Sequence, residues 1–185
     1  KGGDQGALYV VALGVADYDD DSLDLQYAAK DAKDMAAAWA VCSGMQTHTL
    51  VLTDKEVKDA SVLKKIKEFL SDSTLNDKVV FYLAGHGMLD GDMEYYYAPA
   101  AFDTERIAET GISSDAIMDC MDAVTAQTKV LLLDTCHAGM LGEEGEEKIA
   151  ANMGRLPHGV RAIQHRGMKV QKTAMSYANQ KRYIE

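Results

Sequence analysis

The sequence predicts a three-layer α/β/α domain built on a mostly parallel central sheet, and three observations carry that expectation. Short apolar runs at Ala7 to Val15, Thr47 to Leu52, Lys78 to Ala84 and Val130 to Asp134 read as strands, and their near-continuous hydrophobicity suits burial on both faces. Segments with apolar residues at helical spacing lie between them. The chain has 185 residues, 47 % apolar and 26 % charged, which is enough to bury one substantial core and is the composition of a globular protein. Alternating strands and helices imply right-handed crossovers, hence a parallel sheet covered on both sides.

In order, Lys1 to Gly6 reads as a flexible lead-in and residues 7–185 as a single domain. The first strand, ALYVVALGV, runs into the acidic loop 16–22. Tyr27 to Val41 is an amphipathic helix, with Ala28, Asp31/Ala32, Met35, Ala36 and Trp39 at helical spacing. After the second strand, Lys58 to Leu70 is the second helix, with Val62, Leu63, Ile66, Phe69 and Leu70 on one face. The third strand ends at Gly85-His86-Gly87, and the acidic, aromatic stretch from Asp90 to Ala101 reads as a hairpin carrying Tyr95, Tyr96 and Tyr97. Ser113 to Val124 is the third helix, with N-cap chemistry at Ser113-Ser114-Asp115. After the fourth strand, residues 140–167 are dense in Gly, Glu and scattered Arg and read as a mobile or activation loop. Val170 to Tyr177 is a last strand candidate. There is no internal repeat.

Charge and cysteine usage narrow the function. A net charge of -10 would repel a phosphate backbone, so nucleic acid is not an expected partner. No apolar run reaches the roughly 20 residues that span a bilayer, and no secretion-signal pattern opens the chain. No membrane association is expected. The cysteines Cys42, Cys120 and Cys136 are odd in number and irregular in spacing, fitting neither a disulfide framework nor a zinc-binding pair; a reducing cytoplasm is the simplest compartment.

Two strands end in reactive residues: Val79 to Ala84 delivers Gly85-His86-Gly87, and Val130 to Leu133 delivers Asp134-Thr135-Cys136-His137. In open α/β sheets ligands bind outside the carboxyl ends of the strands. If these two strands are neighbours, about 4.8 Å apart, His86 and Cys136 meet at one edge, and an imidazole is the usual base that turns a thiol into a nucleophile. Gly85 and Gly87 let the backbone bend beside His86. The amides of Gly87 and Cys136 are then candidate donors to an oxyanion. A lone Cys at a strand end is usually a small core residue and a lone His usually structural. The joint pattern is far less common, and its separation of 50 positions matches the His-to-Cys interval of caspases.

On these residues the sequence resembles the caspase-like cysteine peptidases, peptidase family C14, in their bacterial and metacaspase-type branch. A first strand like LYVVALGV, a helix like YAAKDAKDM, GHG after the third strand and D-[ST]-C-[HY]-[AS]-G after the fourth stand here in order over residues 7 to about 139, with a weaker match from Lys172 to Glu185. The resemblance implies a caspase-like fold and a cysteine endopeptidase, with Cys136 as nucleophile, His86 as general acid and base, and the Gly87 and Cys136 amides as oxyanion hole. His137 is read as structural, Cys42 and Cys120 as core or surface cysteines, and no chemistry is assigned to Tyr82 or Thr135. Ser176 and Tyr177 are candidates to line the cleft.

Specificity is read from a departure. Caspases that cut after Asp carry Gln where Asp134 stands and Arg in the first βα segment, which here offers Asp31. Two carboxylates beside the nucleophile repel an acidic P1 side chain and pair with a basic one, Arg best, and in the metacaspase-type branch these positions form a basic S1 pocket. Cleavage of protein or peptide substrates after Arg or Lys is expected. Lys148, Arg155, Arg161 and Arg166 are then candidate self-cleavage sites of a zymogen. No cofactor is expected to be required. Calcium is the one candidate metal, since some metacaspase-type enzymes depend on it and Asp90, Asp92, Glu94, Asp103 and Glu105 are oxygen ligands; their spacing matches no EF-hand, and an acidic surface is the plainer reading.

Two other classes remain open at this level. One is a catalytically latent caspase-like module acting in signalling or assembly; the intact His86 and Cys136 speak against it. The other is a metal hydrolase using His86, Cys136 and His137, which lacks an evident fourth ligand. Relatives in this family continue past a strand like Lys172 to Gln180, so a further fragment of the same protein is an expected partner.

Overall fold

A computed structural model describes residues 6–92 and 94–135. Cys136, His137, the 140–167 loop, the strand expected at 170–177 with Ser176 and Tyr177, and the lead-in as far as Gln5 lie outside the described residues.

The elements follow in the order β1 (Leu8–Gly14), α1 (Ala28–Cys42), β2 (Thr47–Thr53), α2 (Val62–Phe69), β3 (Lys78–Gly85), β4 (Gly87–Leu89), β5 (Tyr95–Tyr97), α3 (Ile107–Thr110), β6 (Ile112–Ser113), α4 (Ser114–Asp122) and β7 (Thr128–Thr135). The main sheet is parallel with strand order β2-β1-β3-β7, the mostly parallel central sheet expected from the sequence. A second, antiparallel sheet of β4, β5 and β6 grows from the end of β3.

Strand alternation splits the core between the two faces of the sheet. Leu8, Val10 and Ala12 of β1 with Val80, Tyr82 and Ala84 of β3 face Ala28, Ala32 and Ala36 of α1. Tyr9, Val11, Leu13, Val79, Phe81 and Leu83 face the other way, into a larger core shared with Val62 and Ile66 of α2, Ile117 and Met121 of α4, and Tyr95 and Tyr97 of β5. Every residue of β1, and all of β3 after Lys78, is buried, which is why these two runs read as continuous apolar strands.

Two elements differ from the sequence expectation. The second helix begins at Val62 rather than Lys58, because Asp54–Val57 forms a 3-10 turn closed by a capping box between Thr53 and Glu56. The hairpin begins earlier than expected, at Gly87, with its strands on either side of the acidic turn. The N-cap at Ser113 is as expected, its side chain accepting from the Ala116 amide at 3.1 Å.

The small side chains of α1 allow a close approach to the sheet. A Cβ on Gly14 would strike the Ala28 carbonyl oxygen and lie 2.8 Å from the Ala32 Cβ, and neither atom belongs to a flexible side chain. Gly14→Ala is therefore expected to destabilise the fold by about 1–3 kcal/mol, the usual cost of overpacking. Urea unfolding of the variant against the parent protein measures it, and an unchanged midpoint would contradict this packing.

Candidate active site

All strands of the main sheet point their C-terminal ends the same way, and α1 starts at that end because it follows β1 directly. β3 and β7 are neighbours in parallel register, with Ala84 opposite Asp134 and Gly85 opposite Thr135. His86 and Asp134 thus come from adjacent strand ends, and Asp31, in the first turn of α1, lies over the same edge.

The chain turns out of the sheet at Gly85, whose φ is +145°. That is a backbone state that a side chain disfavours, and a Cβ there would also stand 3.0 Å from the Tyr18 hydroxyl. Gly87 is required for a different reason: its Cβ would lie 2.6 Å from the Tyr95 ring. The sequence expectation of backbone freedom at both glycines thus fits Gly85, whereas Gly87 answers to space.

His86 is 6 % exposed and held at backbone and ring. Its amide donates to the Tyr18 hydroxyl at 3.0 Å, its carbonyl accepts from the Ala98 amide at 2.9 Å, and the preceding Ala84 carbonyl accepts from the Tyr97 hydroxyl at 2.8 Å. The ring nitrogen Nε2 is 2.7 Å from the Leu23 carbonyl oxygen. A carbonyl can only accept, so Nε2 is the protonated nitrogen, and in the neutral ring Nδ1 carries the lone pair that takes up a proton.

The loop that supplies Leu23 is fixed in turn. Asp24 accepts from the Tyr18 amide at 2.9 Å, Asp54 accepts from the amides of Ala16 and Asp17 at 2.8 and 3.0 Å, and the Leu25 amide donates to the Ala16 carbonyl at 2.8 Å. Leu23 and Tyr18 are not among the residues singled out from sequence, and Tyr97 is named there only as part of the hairpin. A backbone carbonyl leaves no trace in residue type, and local pattern does not show the distant partner of a tyrosine hydroxyl.

Alternation along β7 sends Asp134 to the α1 face and Thr135 to the opposite one. Thr135 is buried, and its hydroxyl accepts from that of Tyr95 at 3.2 Å. Asp134 is half-buried and its Oδ2 accepts from the Tyr82 hydroxyl at 2.8 Å. Burial and then the Asp134 charge raise the pKa of the Tyr82 phenol, so it stays a donor. Asp31 is also half-buried, and its carboxyl is raised above the ordinary range first by burial and then by the Asp134 charge. Asp31 and Asp134 thus lie near enough for the charge of one to raise the proton affinity of the other.

Other candidates stand apart. Cys42 is exposed at the end of α1, and Cys120 is buried in α4 with its thiol pushed up by burial. Among the described residues no group of three or more His, Cys, Asp or Glu is placed to hold a metal ion. Of the acids after His86, Asp90 accepts from the amides of Asp92 and Glu94, and Asp103 from the Glu105 amide and the Arg106 guanidinium. Among the described residues no helix is long and apolar enough to cross a membrane.

A parallel sheet with helices on its faces, carrying a held imidazole and two carboxylates at one edge, defines an α/β domain whose polar side chains gather at the strand ends. The chain belongs to the caspase-domain family of cysteine peptidases, peptidase C14, whose model matches residues 8–184. The fold recurs in the crystal structure of protein GSU0716 from Geobacter sulfurreducens, with a TM-score of 0.57 and 16 % identity, over 92 % of this chain and 67 % of that one. At that identity the likeness is one of fold. No curated protein matches the sequence.

The raised carboxyl of Asp31 has a consequence for stability. A carboxyl whose proton is held more tightly in the folded than in the unfolded chain favours folding at low pH, and that contribution is lost as pH rises from the unfolded value near 3.8 through the folded one. Asp31→Asn is expected to unfold later than the parent at pH 7, with the difference shrinking as pH falls through the raised folded value toward 3.8. Thermal melts across that range check the sign, and a variant less stable at pH 7 would reverse it.

Proposed function

We propose that the protein is a cysteine endopeptidase that cleaves after Arg or Lys, with His86 and Cys136 as its catalytic dyad. The observation that carries this reading is the β3–β7 register: Gly85 and Thr135 are paired, and the residues that follow them in sequence are His86 and Cys136. Family membership supports the reaction class, and the pairing of Asp31 with Asp134 supports the specificity.

In this mechanism Nδ1 of His86 takes the thiol proton of Cys136, and the thiolate sulfur attacks the scissile carbonyl carbon. The carbonyl π electrons move to oxygen, and the oxyanion is met by the amides of Gly87 and Cys136. As the intermediate collapses, the C–N bond breaks and the imidazolium passes its proton to the leaving amine, giving a thioester. Water then gives a proton to His86 as it attacks the thioester. The C–S bond then breaks, the imidazolium returns its proton to the Cys136 sulfur, and the carboxylic acid product leaves with the thiol restored.

The Leu23 carbonyl has a role throughout. By accepting from Nε2 it fixes the ring so that Nδ1 faces the reaction, and it stabilises the imidazolium without being titratable itself. Asp31 and Asp134 hold the P1 guanidinium or ammonium. Basic residues at Lys148, Arg155, Arg161 and Arg166 are then substrates in cis for activation by self-cleavage.

The test is cleavage of fluorogenic peptides bearing Arg, Lys, Asp or Leu at P1, with and without calcium. Arg and Lys peptides are expected to be cut and Asp peptides not, and Cys136→Ala is expected to lower the rate by about 10³-fold or more. An Asp134→Arg variant is expected to lose at least about 100-fold in kcat/KM on Arg peptides, as expected when one member of a buried charge pair is reversed. Undiminished cutting by Cys136→Ala would overturn the mechanism, and undiminished cutting by Asp134→Arg would overturn the pocket.

A further inference from the structure

The S1 reading leaves one buried polar side chain at the same edge without a function. Tyr82 lies on β3, on the α1 face of the sheet, two residues before Ala84. Its ring is among the core residues under α1, 3 % exposed, and its hydroxyl reaches out to Oδ2 of Asp134 at 2.8 Å. Leu132 is its register partner on β7, so the bond runs diagonally along the sheet to the next residue on the same face. A phenylalanine here would fill the same core volume. Among the described residues the hydroxyl's hydrogen bond is to Asp134.

We propose that Tyr82 is the positioning residue of the specificity pocket: its hydroxyl fixes the Asp134 carboxylate so that Oδ1 is presented to an incoming basic side chain. This inference rests on the proposed S1 role of Asp134 and deepens it. An aspartate rotates about two side-chain bonds, and a carboxylate facing a second acid would turn away from it when no cation is bound. A donor fixed by a packed ring stops that rotation in advance, so less ordering is left to be done when substrate arrives.

The same bond offsets the like charge of Asp31. Among the described residues, the titratable and charged groups around the pair are Asp31 with Lys30 and Asp34 on α1, Tyr82 on β3 and Asp134 on β7. Lys30 is engaged with Asp34 along the exposed side of the helix, and so compensates the pair only weakly. A hydrogen bond to the ionised form favours that form. Without the Tyr82 hydroxyl no donor among the described residues would stand against the Asp134 carboxylate, and its charge beside Asp31 would be offset only by the incoming cation.

The experiment is a double-substitution cycle, Tyr82→Phe with Asp134→Asn, read on peptides with Arg or Leu at P1 after circular dichroism and melting have shown each variant folded. Tyr82→Phe is expected to raise KM for the Arg peptide about 10-fold, the equivalent of one hydrogen bond to a charged group, with kcat changed less than about 2-fold. Leu-peptide cleavage should be unaffected, and Tyr82→Phe should add nothing in the Asp134→Asn background.

Unchanged KM in Tyr82→Phe, when Asp134→Asn alone weakens Arg cleavage, would overturn the positioning role while leaving the pocket intact. A Tyr82→Phe effect that persists at full size in the Asp134→Asn background would overturn it too, since Tyr82 would then act by another route. If Asp134→Asn itself leaves Arg cleavage at the parental level, the S1 reading falls, and the role of Tyr82 falls with it.

Discussion

Strands β3 and β7 pair in parallel with Ala84 opposite Asp134 and Gly85 opposite Thr135. Side chains alternate along a strand, so a slip of one residue would carry Asp134 away from α1 and bring Thr135 in its place. Two hydrogen bonds guard against that slip from opposite faces of the sheet: Tyr82 to Asp134 on the α1 side, and Tyr95 to Thr135 on the other. The burial of β3 on both faces does the rest, because its apolar residues would be misplaced against either layer.

At the end of β3 the fold leaves the parallel sheet and begins the antiparallel one, and the candidate general base sits at that junction. The backbone there needs the positive φ of Gly85, which would leave a loose turn if nothing else constrained it. Tyr18 and Tyr97 provide the constraint. A tyrosine suits this task because its ring belongs to the core while its hydroxyl stands a ring's length away, at the polar edge. The acidic loop after β1 adds the Leu23 carbonyl, and the anchoring of that loop by Asp24 and Asp54 gives those two acids a structural reason.

The parts of this arrangement that were legible in the sequence are those written in periodicity. β1 and β3 are continuous apolar runs because both faces are covered, and the heptapeptide from Lys129 to Thr135 announces a strand with polar residues at its end. Strands of three residues such as β4 and β5 are too short to carry a pattern, so only the tyrosines hinted at them. The second helix was placed four residues early, although Thr53 and Glu56 have the spacing of the capping box that starts the 3-10 turn. Asp31 is expected beside Asp134 only through the family resemblance, because next to Lys30 on a charged helix its own spacing says nothing of a partner. Long-range proximity of that kind is absent from local sequence.

The acid pair also bears on how stability and recognition are divided. The N-terminal turn of a helix favours a carboxylate, yet Asp31 is disfavoured as an anion because burial and Asp134 outweigh that help. The close approach of α1 that causes the burial comes from Ala28, Ala32, Ala36 and Gly14, all chosen small along one line of contact. Under the proposed reading, the unfavourable energy of two neighbouring carboxylates is relieved when a guanidinium enters, so the free enzyme is held less stable in the state that binds. An acidic P1 residue would instead add a third negative charge to a site already short of compensation. The net charge of -10 extends the same preference into solution, drawing basic segments toward the protein before any contact is made.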